Sequence, residues 1–317
     1  MANPEGQAAA SRKTYRYLRV GIVAMAVLLA ASVVIEIASG SDEGILDSIS
    51  AYYYTPVRGA FVGSLVAVGL GLVAIKGREG AEDVMLNLAG MLAPLVALVP
   101  TPISRTVAGF EVDQRTVPTV LVPYVENNVS ALIVLGVVGL AFAWTTVARR
   151  GSRQRRDILG LTIGAVLLAG LAVWFWAGRS SFLEFGHYAA AVPMFGLITA
   201  VAVVNARHAR EAAVTSRLGM ATYRRAYGAI AWGMGAIIVV AGALFLLESL
   251  DRSPFPSWLF WVEVGLLALF AAFWVFQTAE HWDEGLPEGA GGPVSLPGPV
   301  AWPDGSGPSP GRGSGAR

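Results

Sequence analysis

Apolar residues run along this chain in long unbroken stretches, without the period-two alternation of a half-buried strand or the narrow stripe of a soluble helix. A bilayer core about 30 Å thick needs roughly 20 apolar residues at about 1.5 Å rise per residue. Eight stretches approach that length, at 17–38, 59–75, 84–100, 128–147, 157–177, 184–206, 226–247 and 258–279, the second and third being the shortest. Backbone groups in lipid must bond within their own segment, and continuous apolar runs do not fit a barrel, so the pattern predicts helices. The expected fold is an all-α polytopic transmembrane bundle of about eight spans occupying residues 17–280, after a cytoplasmic segment 1–16. The first run exceeds the usual 7 to 15 residues of a signal-peptide core, so an uncleaved helix is expected there. Residues 281–317 form the remaining segment; ten Gly and seven Pro among residues 285–317 predict a disordered cytoplasmic tail.

Composition agrees with this pattern: 55% hydrophobic residues, 14% charged residues and a mean hydropathy of +0.58 exclude an ordinary soluble domain. The net charge of +1 provides no global field for nucleic acid. Cys is absent and only three His are present, so neither a metal site nor a cofactor is expected. Charge matters locally instead. With the N-terminus inside, eighteen of the 23 Lys and Arg fall in cytoplasmic segments, against Arg58, Arg105, Arg115, Arg179 and Arg252 on the other side. The asymmetry stays in phase through eight spans and places both termini in the cytoplasm of a plasma (inner) membrane protein. Gly59 with Gly63, and Gly160 with Gly164, have the spacing that lets helix backbones approach. Trp174, Trp176, Trp258 and Trp261 sit near outer helix ends, where an aromatic belt is expected.

Ionisable groups at membrane depth are costly, and they mark candidate chemistry. Glu36 lies near the outer end of the first span, Glu184 and His187 open the sixth, and Glu263 lies five residues into the eighth. Glu184 and His187, three apart, share a helical face and could pair. The first external loop holds Asp47, Ser48, Ser50, three consecutive tyrosines Tyr52, Tyr53 and Tyr54, and then Arg58. Two readings apply to it: an interfacial belt with Arg58 snorkelling to phosphate, or a ligand-binding lid over the acidic cluster. The next external connection, 101–127, contains an apolar stretch with Pro118 and Pro123 that could dip into the interface. On the cytoplasmic side Glu79, Glu82 and Asp83 are expected to complement the helix dipole of the third span, and Asn87 to bond across helices.

These residues support several activities. Binding of a lipid headgroup or small ligand at the external polar cluster comes first, with membrane lipids as the partners. Proton- or ion-coupled transport is the alternative, with Pro193 as a possible kink beside His187. A lipid-directed hydrolase would take Ser48 or Ser50 as nucleophile, His187 as base and Glu184 or Glu263 as its orienting acid, but no nucleophile-elbow motif surrounds either serine. The reading leans away from an enzyme.

The strings Ser48-Ile-Ser-Ala-Tyr-Tyr-Tyr-Thr55 and Glu82-Asp-Val-Met-Leu-Asn-Leu-Ala-Gly90 resemble a family of uncharacterised multi-pass membrane proteins of actinobacteria. Gly186-His-Tyr188 and Phe260-Trp-Val-Glu263 are similar to the polar helix starts of the same family. The resemblance implies membrane location and an eight-span layout without the tail, and no particular activity.

Overall fold

A computed structural model describes residues 4–40, 44–75, 81–112, 115–149, 155–208, 219–250, 252 and 255–282. The expected tail lies outside the described residues from 283 onward. Eight α-helices follow one another: α1 Pro4–Ala38, α2 Arg58–Ala74, α3 Ala81–Leu98, α4 Val122–Arg149, α5 Arg155–Ala177, α6 Arg179–His208, α7 Met220–Ser249 and α8 Trp258–Glu280. Two short 3-10 helices, Ser50–Tyr54 and Thr119–Leu121, lie in the α1–α2 and α3–α4 connections. Among the described residues there is no strand, only the isolated bridges Ile103 to Thr116 and Val107 to Phe110.

Seven of these helices are long and apolar enough to cross a membrane, and α2, at 17 residues, falls just short. Large apolar side chains such as Trp232, Phe142, Val239 and Ile35 point outward, which lipid tolerates and water does not. The chain is a multi-pass integral membrane protein. Arg16, well inside α1, donates to the Trp282 carbonyl at 2.7 Å and its guanidinium lies 4.2 Å from that indole centroid, so this part of α1 packs beside the end of α8. The 3-10 helix 119–121 leads straight into α4, which begins at Val122, so the stretch expected to dip into the interface is the start of a long apolar helix.

Helices α1, α2, α3, α6, α7 and α8 form the packed body, while α4 and α5 lie at its edge and expose most of their length. The closest approach joins α2 to α3. A methyl group on Gly69 would fall 2.7 Å from the Gly90 carbonyl oxygen, and one on Gly90 would fall 2.6 Å from that of Gly69. Pro94 explains the pairing, because a proline nitrogen cannot donate to the carbonyl four residues earlier, and that carbonyl belongs to Gly90. Its oxygen rests against the bare Cα of Gly69 instead. The glycine spacing singled out from sequence plays a smaller part, since Gly59, Gly63 and Gly160 have open space where a Cβ would stand. Pro193 lies inside an uninterrupted α6. Of the four tryptophans expected at the interface, Trp176 and Trp261 are exposed, Trp258 is buried, and Trp174 donates to Ser181 Oγ at 2.9 Å.

One end of the bundle is capped by the α1–α2 and α3–α4 connections. Ile49, Ala51, Tyr52, Tyr53 and Tyr54 pack there with Val57, Phe61, Ile103 and Phe260 in a small core separate from the main one. A tyrosine belt facing headgroups is thus overturned: Tyr52, Tyr53 and Tyr54 are each under 5% exposed. A 3-10 helix has three residues per turn, so three successive tyrosines point in three directions, and all three find cover.

Candidate functional site

The 3-10 helix is pinned by its own side chains. Ser48 Oγ accepts from the Ala51 amide at 2.9 Å, opening the turn, and Thr55 Oγ1 donates to the Tyr52 carbonyl at 2.9 Å, closing it. Tyr52 Oη accepts from the Leu46 amide, and Tyr54 Oη donates to the Thr101 carbonyl at 2.6 Å. Burial raises the phenol pKa of all three tyrosines above its ordinary value, so they stay neutral. The α8 start is fixed against the same segment, because the Phe260 amide, one of the four a helix start leaves unpaired, donates to the Asp47 carbonyl at 2.8 Å. That bond sets the depth and rotation of Glu263, one turn further on.

Three polar side chains meet beneath this cap. Ser50 donates its amide to Glu263 Oε2 at 3.0 Å, and its Oγ lies 2.9 Å from Glu263 Oε1. On its other side Ser50 Oγ lies 3.0 Å from His187 Nε2. His187 Nδ1 lies 2.7 Å from the carbonyl oxygen of Val99, just past the end of α3. A carbonyl only accepts, so Nδ1 carries hydrogen. Ser50 and His187 are buried, at 5% and 1% exposure, and Glu263 is partly covered. The order of contacts is Glu263, Ser50, His187, Val99, drawn from α8, the 3-10 helix, α6 and α3.

This order is not that of a nucleophilic triad. There the acid orients the imidazole through Nδ1 and leaves the serine free toward substrate. Here the acid holds the serine, a backbone carbonyl holds Nδ1, and the Ser50 amide is already bound to Glu263 rather than open to an oxyanion.

The remaining sequence candidates lie outside the trio. Glu184 is exposed and has no hydrogen bond to His187 among those described, although the two are three residues apart on α6. Asp47 pairs with Arg105 at 3.6 Å, half exposed. Glu36 is half-buried and acts on the Tyr52 ring only through its field. Arg58 does not snorkel: Nε donates to the Tyr53 carbonyl at 2.9 Å, its guanidinium stacks 4.5 Å from the Tyr53 ring centroid, and its Nη2 is buried without a partner. Ser48 serves the turn described above.

Sequence reasoning missed two groups. Beside the trio, Tyr188 Oη lies 2.9 Å from Thr101 Oγ1 and accepts from Arg115 Nη2 at 2.8 Å, while Arg115 also reaches Glu248 at 3.3 Å. At the opposite end, Asn205 of α6 donates to Glu82 Oε1 at 2.9 Å and accepts from Gln277 of α8 at 2.8 Å, all three being buried. Glu82 and Asp83 stand in the first turn of α3, where a dipole complement is expected, and Glu82 also turns into the bundle, while Glu79 lies outside the described residues. Asn87 bonds within its helix to Asp83 rather than across. The two amides inside the sixth and eighth apolar runs were the available signal. Nearby, Tyr227 donates to Glu280 at 2.5 Å and Arg19 to the His281 carbonyl at 3.2 Å. Between the two polar clusters the bundle is apolar around a cavity of about 30 Å³ lined by Met25, Ser64, Val68, Met194, Ile198 and Phe270, among others.

Comparison of the chain with known protein families, with curated proteins and with solved structures finds no match.

Proposed function

We propose that this membrane protein binds a small ligand or lipid headgroup at its capped end, with Ser50, His187 and Glu263 as the polar floor of the site. The observation that carries this reading is their convergence. Three segments far apart in sequence bring titratable or hydroxyl groups into mutual contact at one end of a bundle whose middle is apolar, and burying such groups is unfavourable unless something is gained. Arg58, Arg105, Arg115 and Asp47 around the rim supply charge for a headgroup. The distribution of Lys and Arg supports a capped end facing outside a plasma membrane, with both termini cytoplasmic.

The test compares compounds that co-purify with wild type and with the His187→Ala, Glu263→Gln double variant in mild detergent, by mass spectrometry. The reading expects one lipid or metabolite to be depleted at least about tenfold in the variant, about 1.4 kcal/mol of binding. Equal bulk lipid in both samples would contradict it.

A second reading, proton-coupled transport, draws on a specific feature. The same two helices carry a carboxylate-bearing polar cluster at each end, separated by about 27 Å along α6 and about 21 Å along α8 at 1.5 Å per residue. Counterflow in proteoliposomes that both Glu263→Gln and Glu82→Gln abolish would favour it over simple binding.

A further inference from the structure

Ser50 Oγ has one hydrogen and lies within 3.0 Å of both Glu263 Oε1 and His187 Nε2. His187 Nδ1 holds its hydrogen against the Val99 carbonyl, which leaves Nε2 of a neutral imidazole bare. With an ionised Glu263 and a neutral His187, the serine would offer one hydrogen to two acceptors, and one contact would set lone pair against lone pair. A single additional proton resolves this. Placed on Glu263, it lets Oε1–H donate to Ser50 Oγ and Ser50 donate to His187. Placed on His187, it lets Nε2–H donate to Ser50 and Ser50 donate to Glu263. Both arrangements satisfy every contact and leave the cluster with no net charge.

We propose that Glu263, Ser50 and His187 form a binding site for one labile proton, and that this proton latches segment 44–57 onto the bundle. Release of the proton to bulk water leaves a net negative charge under the cap and breaks one of the two Ser50 contacts. A buried charge without a compensating partner is strongly unfavourable, so the segment lifts to admit water. The titratable and charged groups on the elements around the trio are Asp47 of the segment itself, Tyr52, Tyr53 and Tyr54 of the 3-10 helix, Glu36 of α1, Arg58 of α2, Arg105 and Arg115 of the α3–α4 connection, Glu184 and Tyr188 of α6, and Glu248 of α7. Among the described hydrogen bonds none of these touches Glu263, Ser50 Oγ or the His187 ring, so none supplies the missing hydrogen. The latch concerns the same residues as the ligand reading, but its test contains no ligand, so either can fail alone.

The absence of Cys makes the test direct. Ala51, 3% exposed, is changed to Cys, and the purified full chain in nanodiscs is alkylated with a charged thiol reagent at about pH 6 and about pH 9. Val120→Cys, at a position 61% exposed, reports the thiol's own pH response. The expected result is an acceleration of Ala51→Cys at least about tenfold beyond that of the control, from opening of the segment. Glu263→Gln should abolish the excess, because its amide donates to Ser50 Oγ and accepts from the Ser50 amide as the protonated acid does, holding the segment closed. Ser50→Ala, which removes the bridge, should give fast labelling at both pH values. Equal acceleration at both cysteines, or an excess that persists in Glu263→Gln or in Ser50→Ala, would overturn the proposal.

Discussion

Helices α6 and α8 bury polar groups at both of their ends, and the two ends are built from different chemistry. At the opposite end from the cap Asn205 donates to Glu82 and accepts from Gln277. An amide carries donor and acceptor on separate atoms, so this chain of bonds needs no particular protonation to be complete. At the capped end the central member is a hydroxyl with one hydrogen, flanked by an acid and an imidazole. Its completeness depends on a proton. The amide cluster therefore acts as a fixed clasp, while the hydroxyl cluster responds to pH, although the same two helices frame both.

Several substitutions sharpen or break this contrast. The largest effect belongs to Glu263→Ala, which leaves the Ser50 amide without its acceptor and takes away one of the two partners of the Ser50 hydroxyl. Near pH 6 it should cost about 3 kcal/mol, against about 1 to 2 kcal/mol for Gln277→Ala, which leaves one amide oxygen unpaired. The gap should narrow by pH 9, where the wild-type latch is already released; thermal unfolding in detergent at the two pH values measures it. Gly90→Ala forces a methyl against the Gly69 carbonyl and should cost up to about 3 kcal/mol at every pH. Because α3 supplies Glu82 to one cluster and leads to Val99 in the other, this change should loosen both ends together. Loss confined to one end would show that α3 does not couple them.

Tyr54→Phe removes the donor to the Thr101 carbonyl and should cost about 1 kcal/mol. Burial raises the Tyr54 phenol above the ordinary value of about 10, so its stabilisation is fully present below that pH and is lost only as pH rises through the raised value. The pH 6 to 9 response should therefore survive Tyr54→Phe unchanged, and its disappearance would assign the response to the tyrosines. Asp47→Asn weakens a half-exposed pair with Arg105 and should shift stability by less than about 0.5 kcal/mol.

Much of the fold was legible in the sequence because lipid imposes a simple rule on segment length. The run at 258–279 matches α8, Trp258–Glu280, almost to the residue. Helix ends in water were not legible this way: α1 starts at Pro4 rather than at Tyr17, since hydropathy reports where lipid begins and not where helix begins. Depth singles out His187 and Glu263, and loop composition singles out Ser50. Their meeting was not readable, because it depends on the rotation of α6 and α8 and on the inward fold of a 3-10 helix whose tyrosines looked interfacial. Glu184, close to His187 by count, stands exposed. Asn205 and Gln277 passed unnoticed because a single amide hardly alters an apolar run, and only their pairing with Glu82 makes them a cluster. The Gly69 and Gly90 contact was hidden for a similar reason, since it lies between two helices while motif spacing is read within one.

Hydrogen exchange on the full chain in nanodiscs tests the contrast between the two ends most directly. Peptides covering 44–57 and 270–282 would be followed at about pH 6 and about pH 9, each corrected for the intrinsic rate of the same peptide unfolded. The account predicts a loss of protection with rising pH in the first peptide alone, including the Ser50 amide, and its restoration in Glu263→Gln. A pH response of equal size in both peptides, or none in either, would contradict it.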